Sequence, residues 1–252
     1  MGHIFERKTF LAIFFIFLGL EIIVFYPDYM LFVLTALLIF FVFALSAILK
    51  IKPKDKHAYP VFILPMILLV EFCVFLLVIP VFSLKQLFIF ASAFLLYLVI
   101  FSLNALKSRF VSYSLIIFNI ITIAFLISVF FSFVIIFDLY LIVGLQRWLA
   151  MLIFGTITLL SFWFNIWQNN LSVRNMYTHG FVLTMIITEF FWVLTFWPLL
   201  ALSSGFILFT IYYIYIGLFN SIIKSSFNKK VVLNHTIIPF LVLVYFIISA
   251  RW

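Results

Sequence analysis

Charge is what this sequence has least of. Only 9% of its 252 residues are Asp, Glu, Lys or Arg, against a hydrophobic share of 68%. Soluble chains carry about a quarter charged residues because their surfaces need them. A cytosolic enzyme, a secreted domain and a nucleic-acid-binding module are therefore excluded. The basic pI, about 9.6, does not reinstate nucleic acid as a partner, because the Lys and Arg residues are scattered over several short segments and form no single patch. Cysteine is nearly absent as well. Cys73 stands alone, which rules out an intramolecular disulfide and a Cys-based metal cluster.

Motifs for catalysis are missing too. There is no His-Glu-x-x-His for zinc and no Gly-x-Ser-x-Gly nucleophile. His3, His57, His179 and His235 show no ligand spacing. The polar intervals at 50–59, 168–179 and 220–230 are the longest, and none can house a phosphate loop with its supporting sheet. No catalytic residue, cofactor or metal ligand is expected.

What the sequence does contain is long apolar runs. Nine are legible, at 9–26, 29–49, 60–82, 87–106, 110–137, 140–167, 180–197, 199–219 and 231–250. A run of about 20 apolar residues spans a bilayer as a helix. These unbroken runs lack the alternation of a barrel strand, and a barrel is the only other way to satisfy the backbone in lipid. The expected fold is all-α: a polytopic integral membrane bundle of about nine transmembrane helices, one domain over residues 1–252, built as repeated hairpins. The fifth and sixth runs are too long, since at about 1.5 Å per residue each exceeds a core of roughly 30 Å. Either they tilt or the stretch 138–147 is partly a loop. The 38 Phe residues suit the centre of a span, although A/T-rich codon usage explains such a number equally well.

Orientation follows from the basic residues, which cytoplasmic loops retain. With the N-terminus cytoplasmic, twelve of the fifteen fall inside: Arg7, Lys8, Lys50, Lys52, Lys54, Lys56, Lys107, Arg109, Arg174, Lys224, Lys229 and Lys230. Lys85, Arg147 and Arg251 fall outside. Nine spans then place the C-terminus outside the cell membrane. Trp148, Trp197 and Trp252 at outer ends and Trp167 at an inner end form the aromatic belt expected at headgroup level. The first span resembles a signal peptide in its basic start, but no small-residue cleavage site follows it, so it reads as a retained anchor. The cluster Lys50–Lys56 reads as a topology anchor, with a lipid phosphate as its alternative ligand.

Two hairpins look alike. Glu71-Phe-Cys-Val-Phe-Leu-Leu-Val-Ile-Pro80 lies over Glu189-Phe-Phe-Trp-Val-Leu-Thr-Phe-Trp-Pro198. With the same offset Tyr97 meets Tyr215 and Phe101 meets Phe219. Spans one and two give a weaker copy through Glu21 and Pro27. Spans five and six supply a fourth hairpin, with Asn119 at comparable depth. Pro80 and Pro198 are expected to end helices, since proline lacks the backbone donor.

The carboxyls inside the runs are the candidate sites. A charge at mid-membrane is expensive, about 2.5–3.5 kcal/mol on insertion scales. Glu71, Glu189 and Glu21 all sit on spans running outward, at mid to outer depth, which allows them to face one cavity as a proton or ligand site. Packing glue between helices is the plainer role. Thr184 and Thr188 share a face and are expected to bond their own helix carbonyls. Asn119 and Asn165 suit contacts with other spans. Ser203-Ser204-Gly205 suggests a loosened start to span eight and a pocket near the outer surface.

The stretch from Glu189 to Pro198, with Tyr212-Tyr213 downstream, resembles an uncharacterised multi-span membrane protein family of small-genome bacteria over roughly the last third of the chain. That resemblance implies no activity. The leading expectation is a binding, scaffolding or assembly component whose partners are the lipid bilayer and other membrane proteins. The alternative is a proton-coupled transporter or lipid flippase in which Glu71 and Glu189, with Glu21, alternate between protonated and charged forms.

Overall fold

A computed structural model of the chain describes residues 2–49, 59–107, 114–169, 176–197 and 199–223, with a few positions between 233 and 244. The basic segments at 50–58, 108–113, 170–175 and 224–230, Pro198 and most of the expected ninth span lie outside the described residues. Eight α-helices follow in order: α1 (Gly2–Phe25), α2 (Met30–Leu49), α3 (Tyr59–Val78), α4 (Phe82–Lys107), α5 (Ser114–Leu141), α6 (Arg147–Gln168), α7 (Met176–Leu194) and α8 (Ala201–Ile223). A single 3-10 turn, Pro27–Tyr29, joins α1 to α2. Seven of the helices are long and apolar enough to cross a membrane, and α3 contributes the shorter apolar stretch Phe62–Val78. No strand occurs among the described residues. The protein is an all-α, multi-pass membrane helical bundle.

The helix ends have local causes. Pro27 opens the 3-10 turn, and Tyr29 N–H closes it on the Tyr26 carbonyl at 3.2 Å. α3 stops at Val78, two residues before Pro80. The long apolar stretch after Phe110 is divided at 142–146, where Gly144 takes φ 74°. A side chain there would meet nothing within 4 Å, so the left-handed backbone, not space, selects glycine. The partial loop expected at 138–147 is thus confined to its second half. This leaves α6 with 22 residues, an ordinary span length. α5 keeps 28 residues, about 42 Å at 1.5 Å per residue, so it must tilt or reach beyond the hydrocarbon.

The fold gathers into two compact units, Met1–Ser128 and Val129–Trp252, with α5 continuous from one to the other. In the first, α1, α2, α3 and α4 all pack on one another around Ile16, Leu20, Phe41, Leu45, Leu68, Phe72 and Leu96. In the second, α6 packs on α7 and α7 on α8. Its core is aromatic: Phe154 lies 5.3 Å from Phe133, 5.5 Å from Phe137 and 4.5 Å from Phe191, centroid to centroid. Tilted and edge contacts of this kind add about 0.5–1.5 kcal/mol each beyond area burial. The abundant Phe therefore has a packing role here.

Without a hydrophobic drive between helices in lipid, close approach depends on small residues. A Cβ at Gly155 would come within 3.2 Å of the Thr184 methyl, and one at Gly180 within 2.9 Å of the Phe162 ring. Gly205 is tighter still, with the Val134 N and Cα both 2.9 Å from where its Cβ would be. The segment Ser203–Gly205 is regular helix in α8, with Ser204 and Gly205 buried. The loosened start expected there is replaced by a backbone crossing.

That crossing predicts unequal penalties. Gly205→Ala must push backbone apart and should lower stability by about 1–3 kcal/mol, as overpacking does. Gly19→Ala meets the Leu37 side chain, 2.6 Å from Cδ2 and 2.9 Å from Cγ, and should cost less because a side chain yields more readily than backbone. Unfolding midpoints in mixed micelles check the order, and equal midpoints would contradict the crossing.

Candidate functional site

The three carboxyls expected as sites occupy three different surroundings. Glu71 projects from α3 into the core of the first unit and is 4% exposed. Its neighbours Leu68, Leu69, Phe72 and Cys73 are buried hydrophobes. One turn contact from α5 reaches it: Ser128 Oγ donates to Glu71 Oε1 at 2.9 Å. Ser128 is itself buried. This is a carboxyl held in a buried helix contact, and Ser128 was not visible in sequence as its partner. Serine on an apolar run has no pattern that names a partner 57 residues away.

Glu21 lies half-buried on α1, one turn before its C-terminal end at Phe25. Gln86 Nε2, on α4, donates to Glu21 Oε2 at 2.9 Å. One turn further along, Phe25 and Phe82 close the same seam at 6.0 Å between ring centroids. Gln86 also went unnoticed in sequence, because Lys85-Gln86 fell in the break between the runs 60–82 and 87–106, whereas α4 begins at Phe82 and includes both.

Glu189 is placed differently. It belongs to the second unit, on α7, and is exposed. No described residue hydrogen-bonds or ion-pairs with it. Exposed Met185, Trp192 and Val193 surround it on the helix surface. Among the described residues no three of His, Cys, Asp and Glu come together.

The two aligned hairpins therefore share part of their geometry. Tyr97 stacks on Phe101 with centroids 6.5 Å apart at 19°, and Tyr215 stacks on Phe219 at 6.3 Å and 12°. Their glutamates differ, one buried and one exposed.

The other polar residues act as helix fasteners. Asn165 on α6 and Asn220 on α8 exchange two hydrogen bonds, at 2.9 and 3.1 Å. Asn169 Nδ2 adds donations to the Asn165 carbonyl and Oδ1 at 2.9 and 3.1 Å. Thr184 donates to the Gly180 carbonyl and Thr188 to those of Thr184 and Met185, within their own helix as expected. Asn119 is exposed on α5. At the start of α6 an amphipathic cluster assembles: the Arg147 guanidinium sits 5.0 Å over the Phe196 ring, and Trp148 Nε1 donates to Gln146 Oε1 at 2.6 Å. Such rings and cations suit the headgroup level.

The chain matches no family model, no curated protein and no solved structure. Its chemistry has to be read from these contacts alone.

The Glu71–Ser128 contact predicts a graded response. Interhelical side-chain bonds in membranes are worth about 0.6 kcal/mol on average, so Ser128→Ala should be mild. Glu71→Ala also empties buried volume and should cost about 2–4 kcal/mol, in the range of large-to-small core changes. Glu71→Gln keeps an acceptor of the same shape and should stay close to wild type. Detergent-unfolding curves rank the three, and a Gln variant as unstable as the Ala variant would refute the accepted bond.

Proposed function

We propose that this protein is a non-catalytic binding or assembly component of a cell membrane, joined to a second membrane protein through the outer half of α7. The observation that carries the reading is the exposed Glu189. It lies five residues from Leu194, the last residue of α7, about 7.5 Å along the axis, on a face otherwise made of Met185, Trp192, Val193 and Phe196. A carboxyl held against hydrocarbon is costly, and a partner helix offering a donor or a cation removes that cost. The large side chains around it supply the packing surface.

The basic residues support the orientation in this reading, with the N-terminus cytoplasmic and the C-terminus outside, because such an asymmetry retains Lys and Arg inside. A second reading, a proton-coupled carrier or lipid flippase, draws on the burial of Glu71. The separate partners Gln86 for Glu21 and Ser128 for Glu71 favour the binding role over a relay of shared carboxyls.

Mild detergent extraction of the full chain tests the proposal. Wild type should be recovered with a stoichiometric membrane partner that crosslinks to a photoreactive side chain placed at Met185. Glu189→Leu should lower that recovery by a polar contact worth about 1–2 kcal/mol, roughly five- to thirtyfold, with an unchanged unfolding midpoint. A wild type recovered as a clean monomer overturns it.

A further inference from the structure

Along the seam of α1 and α4 in the first unit runs a groove of about 460 Å³. Phe10, Phe14 and Phe17 wall it on α1, and Phe90 and Phe94 on α4, with Ala93 at its floor. These residues recur at helical spacing on both helices, and no polar atom lines the groove. Phe10 and Phe90 are each 67% exposed, whereas Ala93 is 6% exposed. The notch therefore exists because the floor residue is small and its neighbours are large.

The same two stripes continue outward into polar residues. One turn beyond Phe17 comes Glu21, and one turn before Phe90 comes Gln86; the two are joined by the 2.9 Å hydrogen bond. Glu21 uses one carboxyl oxygen in that bond, and its other oxygen meets no donor among the described residues. Lys85, the next residue to Gln86, is half-buried and makes no ion pair with Glu21 or with any other described residue. A carboxyl and an ammonium thus stand near one end of an apolar groove without neutralising each other.

We propose that this groove binds one phospholipid with a primary-amine head group, taken from the outer leaflet under the orientation given above. One acyl chain lies in the Ala93 notch, the lipid ammonium donates to Glu21, and the lipid phosphate accepts from Lys85. Charge complementarity selects the head: a zwitterion carrying an N–H donor and an anion matches an acceptor and a cation, and a quaternary amine offers no N–H. The dimensions select the tail. From Glu21 to Phe10 is eleven residues, about 16 Å of helix at 1.5 Å each, which is one leaflet of a core about 30 Å thick. Glu21 and Lys85 lie within a turn or so of the helix ends at Phe25 and Phe82, the depth at which a head group sits. The lysine stem reaches along apolar surface while its ammonium stays at that level. This site is independent of the α7 face.

Reconstitution of the full chain into nanodiscs holding equal amounts of phosphatidylethanolamine and phosphatidylcholine, followed by native mass spectrometry, tests it. Wild type should retain one phosphatidylethanolamine in preference to phosphatidylcholine. Ala93→Leu fills the notch and should lower retention of either lipid by about tenfold. Glu21→Gln should leave a lipid bound but erase the preference for the primary amine. The head-group preference is read on wild type, so it stands even if a variant folds poorly. Equal retention of the two lipids by wild type overturns the proposal, and so does a folded Ala93→Leu variant that retains lipid as wild type does.

Discussion

Hydrocarbon offers no hydrogen bonds, and that condition shapes the polar contacts within the described helices. Backbone groups are satisfied within helices, which is why the described segments are helical almost throughout. Hydroxyls turn back onto their own helices, as at Thr158, Thr184, Thr210 and Ser221. Amides pair across helices, as Asn165 does with Asn220. Carboxyls need more, and Glu71 and Glu21 obtain it from Ser128 and Gln86. With polar groups confined in this way, packing falls to glycine and phenylalanine: Gly205 on the Val134 backbone and the Phe154 ring cluster are two solutions to one problem, close contact without a hydrophobic drive.

The lengths and breaks of the spans were legible in the amino-acid sequence because apolar length is a one-dimensional property. Eight of the nine runs correspond to helices, and the overlong central stretch divides at Gly144 through its left-handed φ. Which face of each helix is buried was not legible. Helices such as α3 and α5 are apolar all round, so no polar stripe tells core from lipid. For this reason Glu71 and Glu189, equal in sequence context, end up buried and exposed respectively. Ser128 and Gln86 escaped notice for the same reason: a partner across a bundle is fixed by helix rotation, and periodicity is silent on rotation when every face is apolar. Asn165 has the cross-helix partner expected of it, Asn220, whereas Asn119, a carboxamide in an equally apolar run, is exposed.

The three carboxyls differ in how far helix packing engages them. Glu71 is consumed by the core of the first unit. Glu21 is half consumed through Gln86, the residue after Lys85, beside an aromatic groove. Glu189 is not consumed, and its surroundings are the large exposed side chains of α7. Hydrogen bonding and exposure thus distinguish the three carboxyls more sharply than depth does. The two proposals rest on that difference, the lipid at the α1–α4 seam on Glu21 and the protein partner at α7 on Glu189.

All of this requires that successive breaks between helices emerge on alternating sides of a bilayer. Single cysteines in a Cys73→Ser background, labelled with a membrane-impermeant maleimide, measure that directly. Residues Asp28, Val81 and Val143, exposed between helices, should label in intact cells. Positions Arg7 and Thr178, exposed near the opposite helix ends, should label only after permeabilisation. Finding Asp28 and Val81 on opposite faces, or Arg7 and Asp28 on the same one, would contradict the account.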